Sequence, residues 1–93
     1  VSTERTVDIG GDHTLVLVTP YGADEPTGAD VKHLTPDGKP CIGWILFDTS
    51  ANRDWPAERK WQVESWDPIT LSPSLLCRCG DHGFVRNGTW VPA

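Results

Sequence analysis

The sequence predicts a mainly β protein: a single domain over residues 1–93, built as a small antiparallel sheet or sandwich that ends in an Asn-Gly hairpin. Three observations predict it. Short runs rich in β-branched and aromatic residues recur along the chain, Pro and Gly punctuate it at short intervals, and little of it has the signature of a helix. With 93 residues the chain is too short for two hydrophobic cores. About five to seven strands and at most one helical turn are expected.

The elements follow in order. His13 to Thr19 is dense in β-branched residues and closes at Pro20-Tyr21-Gly22, a strand followed by a turn. Glu4 to Ile9 alternates weakly and is its hairpin partner across Gly10-Gly11-Asp12. From Pro20 to Asp30 the composition shifts to Gly, Ala, Asp, Glu and Pro, the mark of a surface loop. Val31 to Leu34 reads as a short strand ended by the turn Thr35-Pro36-Asp37-Gly38-Lys39. Cys41 to Phe47 is continuously apolar, which predicts a strand buried on both faces at the centre of the sheet. Asp54 to Arg59 could form one helical turn, with Asp54 as its cap and Pro56 in its first turn.

Lys60 to Trp66 alternates, with Trp61 and Val63 on one face and Gln62, Glu64 and Trp66 on the other, until Asp67-Pro68 stops it. Ser72-Pro73 interrupts the next stretch, and a strand resumes over Ser74 to Cys77. The strongest local signal is Phe84 to Val91, a hairpin around Asn87-Gly88, because both central residues of a type I′ turn need positive φ. Its register sets Arg86 opposite Thr89, Val85 opposite Trp90 and Phe84 opposite Val91.

Composition narrows the function classes. The formal charge of −5 opposes nucleic acid and anionic membrane surfaces, since both repel an acidic protein. No apolar run reaches the roughly 18–20 residues of a membrane-spanning helix. The first residues lack the apolar stretch of a secretory signal, so export by a signal peptide is not expected. Methionine is absent and the chain opens on Val1. Either an initiator has been removed or a GTG start codon is written as valine, and the latter fits a GC-rich bacterium or its virus.

Three cysteines, an odd number, fit reduced thiols or a metal site better than a disulfide framework. Cys77-Arg78-Cys79-Gly80-Asp81-His82 is the most suggestive cluster. Zinc takes about four ligands in a tetrahedron, usually Cys thiolates and His nitrogens. A tight turn at Gly80 could gather Cys77, Cys79 and His82, with Cys41 as the fourth ligand, in a zinc-knuckle-like turn. Only one residue separates Cys77 from Cys79, and on an extended strand they would lie about 6.5–7 Å apart. The turn must therefore bend for zinc to bind. Two other readings stand beside it: small buried apolar residues around a turn capped by His82, and a redox or disulfide role.

No catalytic set emerges. Asp81 and His82 are neighbours whose side chains point to opposite faces on a strand, and no glycine-framed nucleophile surrounds Ser72 or Ser74. Gly10-Gly11 has no Lys-Ser or Lys-Thr downstream to complete a phosphate loop. Five tryptophans are many for a small domain. Trp44 and Trp61 are expected in the core. Trp55, in a polar loop, and Trp66, on the polar face of its strand, are the candidates for partner contact.

From Trp61 onward the residues carry a likeness. Trp61-x-Val63, then Pro68-Ile69-Thr70-Leu71-Ser72-Pro73-Ser74, then Cys79-Gly80-Asp81-His82-Gly83-Phe84-Val85-Arg86-Asn87-Gly88, resemble small proteins of bacteriophages and prophages, especially of actinobacterial phages. The likeness covers about the last third of the chain. Asp81 stands where the wider pattern has Cys before His, and the cysteines here fall earlier. The resemblance implies phage origin and lends no activity. The expectation is therefore a non-enzymatic phage protein acting by protein–protein contact, as a minor virion component in head or tail. An early protein that modulates a host factor is the alternative. Either would place it in the virion or the host cytoplasm, with virion proteins or a host protein as partner, and self-association remains open.

Overall fold

In the computed structural model, which describes residues 2–93, short strands follow one another with two single 3-10 turns between them. Val1, on which the start-codon reading falls, lies outside the described residues. The strands are β1 (Thr3–Gly10), β2 (His13–Thr19), β3 (Gly28–Leu34), β4 (Pro40–Phe47), β5 (Lys60–Trp66), β6 (Ile69–Ser72), β7 (Leu75–Leu76), β8 (His82–Arg86) and β9 (Thr89–Pro92). The protein is mainly β, as the sequence predicts, with a curled, largely antiparallel sheet. Nine strands appear among the described residues rather than five to seven, partly because Pro73 divides β6 from the two residues of β7.

β1 to β6 form one sheet in sequence order, and β7-β8-β9 form a second. β1 through β4 are an antiparallel meander, whereas β4 and β5 are parallel and pair only through Leu46–Lys60 and Phe47–Trp61. Period-two alternation sets the inner face. Leu15, Val31 and Gly43 make one cross-strand row, and Leu17, Ala29 and Ile45 make the next. Against these rows pack Phe47, Ile69, Leu71, Leu75, Val85 and Trp90. Phe47, Leu15 and Val85 are fully buried, each contributing about 1.5–3 kcal/mol of transfer free energy.

The C-terminal hairpin has the predicted register, Arg86 to Thr89, Val85 to Trp90 and Phe84 to Val91. Asn87 and Gly88 have φ of 51° and 73°, as a type I′ turn demands. The indole of Trp90 lies against Gly83, where a Cβ would collide with the ring. Glycine is required there by contact.

Five expectations need correction. β4 is buried on its inner face only: Ile42 is 62% exposed and Trp44 50%, because the second sheet covers the inner side alone. Trp44 is thus no core residue, and its ring lies across Gly28 on the solvent side. β3 starts at Gly28, so the loop after β2 is shorter than its composition suggests. Trp66 belongs to the inner face. A bulge between Val63 and Ser65 shifts the alternation, so that Val63 faces Leu71 and Trp66 faces Ile69, and Trp66 meets the Phe47 ring edge-on at 5.6 Å. The helical turn is Ala57–Arg59, with Pro56 at its cap and no role there for Asp54.

Candidate metal centre

The site lies at one end of the inner face. The β2–β3 register continues the Leu15–Val31 row into His13 and His33, and β3–β4 pairing sets His33 directly opposite Cys41. Their side chains share a face because all three numbers are odd, in phase with Leu15, Val31 and Ile45. The other residues come from the connection between β7 and β8. There the Gly80 N–H donates to the Cys77 carbonyl (2.9 Å) and the Cys77 N–H to the Asp81 carbonyl (2.8 Å), with Gly80 at φ +99°. That left-handed glycine supplies the bend that two cysteines separated by one residue require.

The bend brings Cys77 and Cys79 over the sheet. The ligand atoms of His33, Cys41, Cys77 and Cys79 lie within 4.8 Å of one another, a group that could hold a metal ion. Cys41 Sγ and Cys77 Sγ are 3.7 Å apart, and His33 Nε2 is 3.4 Å from Cys79 Sγ. All three thiols are free. The three cysteines singled out in the sequence therefore meet. His82 does not join them: it lies on the exposed side of β8, where its Nε2 is 2.9 Å from Ser74 Oγ. As the first residue of β8, it points away from the inner face that Gly83 and Val85 share.

Buried neighbours hold His33 in place. Its Nδ1–H donates to the Val31 carbonyl at 3.2 Å, leaving Nε2 as the bare nitrogen toward Cys79. The His13 ring stacks on His33 (centroids 5.4 Å, 8° between planes) and also on Trp90, with centroids 3.8 Å apart. His13 Nε2 meets Asp81 Oδ2 at 2.6 Å, and its Nδ1 faces the Gly11 carbonyl. Asp81 thus ties the cysteine turn to β2 with its side chain and holds the turn's own hydrogen bond with its backbone.

The thiols are electrostatically unequal. Partial burial, with hydrogen bonds and charge from Cys77 and Cys79, pushes the Cys41 thiol up to about 11. Burial also acts upward on Cys77, yet the Cys79 and Arg78 backbone N–H groups and the neighbouring thiols outweigh it, so that thiol is lowered. Crowded sulfurs sharing protons are the state that a cation relieves, since a thiolate ligand must lose its proton to bind.

The partner-contact candidates separate. Trp55 is 52% exposed in the turn before Pro56, whereas Trp66 is taken up by Phe47 and the core. His33 and its support His13 carry no local motif. The register across the Thr35–Lys39 turn is the signal that finds His33, because it fixes that residue opposite Cys41.

No protein-family model matches the chain, and the comparisons with curated proteins and with solved structures also give no match. No helix among the described residues is long and apolar enough to cross a membrane.

Proposed function

We infer that the chain is a small β domain clasped by one structural zinc ion at His33, Cys41, Cys77 and Cys79, and that it works by protein–protein contact rather than catalysis. One observation carries the metal reading. In a tetrahedron with Zn–S about 2.3 Å and Zn–N about 2.0–2.1 Å, the sulfur–sulfur edge is about 3.8 Å and the sulfur–nitrogen edge about 3.6 Å. The Cys41–Cys77 and His33–Cys79 separations, 3.7 and 3.4 Å, are close to two of these edges, and all four ligand atoms lie within 4.8 Å of one another. A Cys₃His set closes the coordination sphere with protein atoms, which favours a structural ion over one that activates water. The ligands come from β3, β4 and the β7–β8 turn, so the ion joins the meander to the C-terminal sheet.

The role in contact rests on different ground. Trp55, Trp44 and Ile42 are large apolar side chains at the surface, and such rings are favoured anchors in protein interfaces. The phage-like C-terminal third supports a minor component of the virion, bound to head or tail proteins. The charge of −5 keeps a second reading in view, an early protein that binds a basic host factor. Proteomics of purified particles tests the choice. Peptides of this chain at fixed copy number support the virion role. Their absence from particles, with abundance early in infected cells, removes it in favour of the host-factor reading.

A further inference from the structure

Two of the three thiols stand in contact. Cys41 Sγ and Cys77 Sγ are 3.7 Å apart although 36 positions of sequence separate them, whereas Cys79 Sγ is turned to His33 Nε2 at 3.4 Å. A disulfide bond is about 2.0 Å long, so the first pair is about 1.7 Å of sulfur movement from one, within reach of rotation about the two Cα–Cβ bonds. Cys77 and Cys79 enclose a single residue, a ring too short to close without strain. The thiols are half-buried rather than sealed. Cys77 lines a cleft with Gly43, Trp44 and Leu76, and Leu76 is 68% exposed. Gly43 keeps that cleft clear. It interrupts the apolar run of β4 on the face toward the site, where a Cβ would stand 3.9 Å from Cys77 Sγ. Glycine inside a strand weakens it and marks a place of close approach.

We propose that Cys41 and Cys77 are a reversible disulfide site, joined by hydrogen peroxide, and that their joining releases the zinc ion. The release rests on the metal reading above; the disulfide does not. Cys77 Sγ, on the cleft, attacks the O–O bond of the peroxide, taking one oxygen as a sulfenic acid while the other leaves as hydroxide. Cys41 Sγ then attacks the Cys77 sulfur, the S–S bond forms, and the sulfenic oxygen leaves as a second hydroxide. Two thiolates are thereby oxidised to one disulfide, and one peroxide is reduced to two hydroxide ions. With only His33 and Cys79 left as ligands, the site no longer closes around a metal. A dithiol reverses the step, becoming a disulfide itself and returning two electrons and two protons to Cys41 and Cys77. The bond spans the same gap as the ion, from β4 to the β7–β8 connection, so the C-terminal sheet stays fastened to the meander. The clasp is then a zinc site in a reducing compartment and a disulfide in an oxidising one.

Peptide mapping of the full chain without reductant, after treatment with hydrogen peroxide, tests the pairing, while a chromogenic chelator follows the zinc. Trypsin cleaves after Arg78, which puts Cys77 and Cys79 on separate peptides. The expected result is one Cys41–Cys77 bond per zinc released, with Cys79 still open to alkylation. Dithiothreitol followed by zinc should return both thiols and the bound metal. Circular dichroism of the oxidised chain should keep its β signal, in chelator as well. Linkage of Cys79 in the folded chain overturns the proposal. So does oxidation that dithiothreitol fails to reverse, loss of the β signal as the bond forms, or zinc that stays bound after it has formed. A chain that forms no such bond overturns the proposal too, and if that chain holds zinc the metal reading stands. A chain that binds no zinc yet links Cys41 to Cys77 removes the metal reading and supports the disulfide.

Discussion

His33 Nε2 lies 3.4 Å from Cys79 Sγ across 46 positions of sequence, and this contact joins the N-terminal meander to the C-terminal sheet. Each partner reaches the other through local structure. His33 is on the inner face of β3 by strand alternation, and Cys79 is turned inward by the left-handed Gly80. The stack of Trp90, His13 and His33 continues the link back into the core.

Removing the metal is expected to loosen the C-terminal sheet first. Two of the four proposed ligands lie between β7 and β8, and structural zinc contributes folding free energy directly. Amide exchange followed by mass spectrometry, with and without a strong chelator, checks this. Exchange should rise from Cys77 to Arg86 before it rises in β1 and β2. A chain whose exchange is unchanged in chelator counts against a structural ion.

Asn52 is a second fixed point. Its Nδ2 donates to the Thr27 carbonyl at 2.8 Å and the Phe47 carbonyl at 2.9 Å, from a buried position. Asn52→Ala removes both donors from inside the fold and should cost about 1–3 kcal/mol of stability in urea unfolding. A loss within the few tenths typical of surface substitutions would show that these bonds hold nothing together.

Asp48 gives a pH signature. The Gln62 amide and the Lys60 ammonium, 3.1 Å away, hold its carboxyl below the ordinary carboxylate value. A carboxyl lowered in the folded state stabilises fully above its unfolded value of about 4, and that contribution is lost as pH falls through the folded value. Asp48→Asn should therefore be less stable than the native chain at neutral pH, with the gap closing in acid. Thermal melts across the pH range read this directly. A gap that stays constant into strong acid would sink the assignment.

Much of this fold was legible. The Gly10-Gly11-Asp12 hairpin and the Asn87-Gly88 hairpin are written in turn residues whose φ requirements are local. Trp66 was not legible, because a bulge at Glu64 reverses alternation and nothing in Gln62-Val63-Glu64-Ser65 announces it. The faces of β4 are not legible for another reason: a continuous apolar run fits a doubly buried strand and a half-buried strand with an exposed apolar side equally well. The site was legible in part. The cysteines stand out by residue type, whereas His33 acquires its role only from the register that sets it opposite Cys41. His82 is close to the cysteines in sequence, yet alternation within β8 directs it outward.

The choice between those two histidines tests the central claim most directly. Zinc bound per chain is to be measured by elemental analysis of the purified protein, alongside His33→Ala and His82→Ala. The account predicts one zinc in the unaltered chain, the same in His82→Ala, and affinity lowered by at least about tenfold in His33→Ala. A chain that folds with no zinc, or one that loses it on substitution of His82 and keeps it on substitution of His33, would contradict the account.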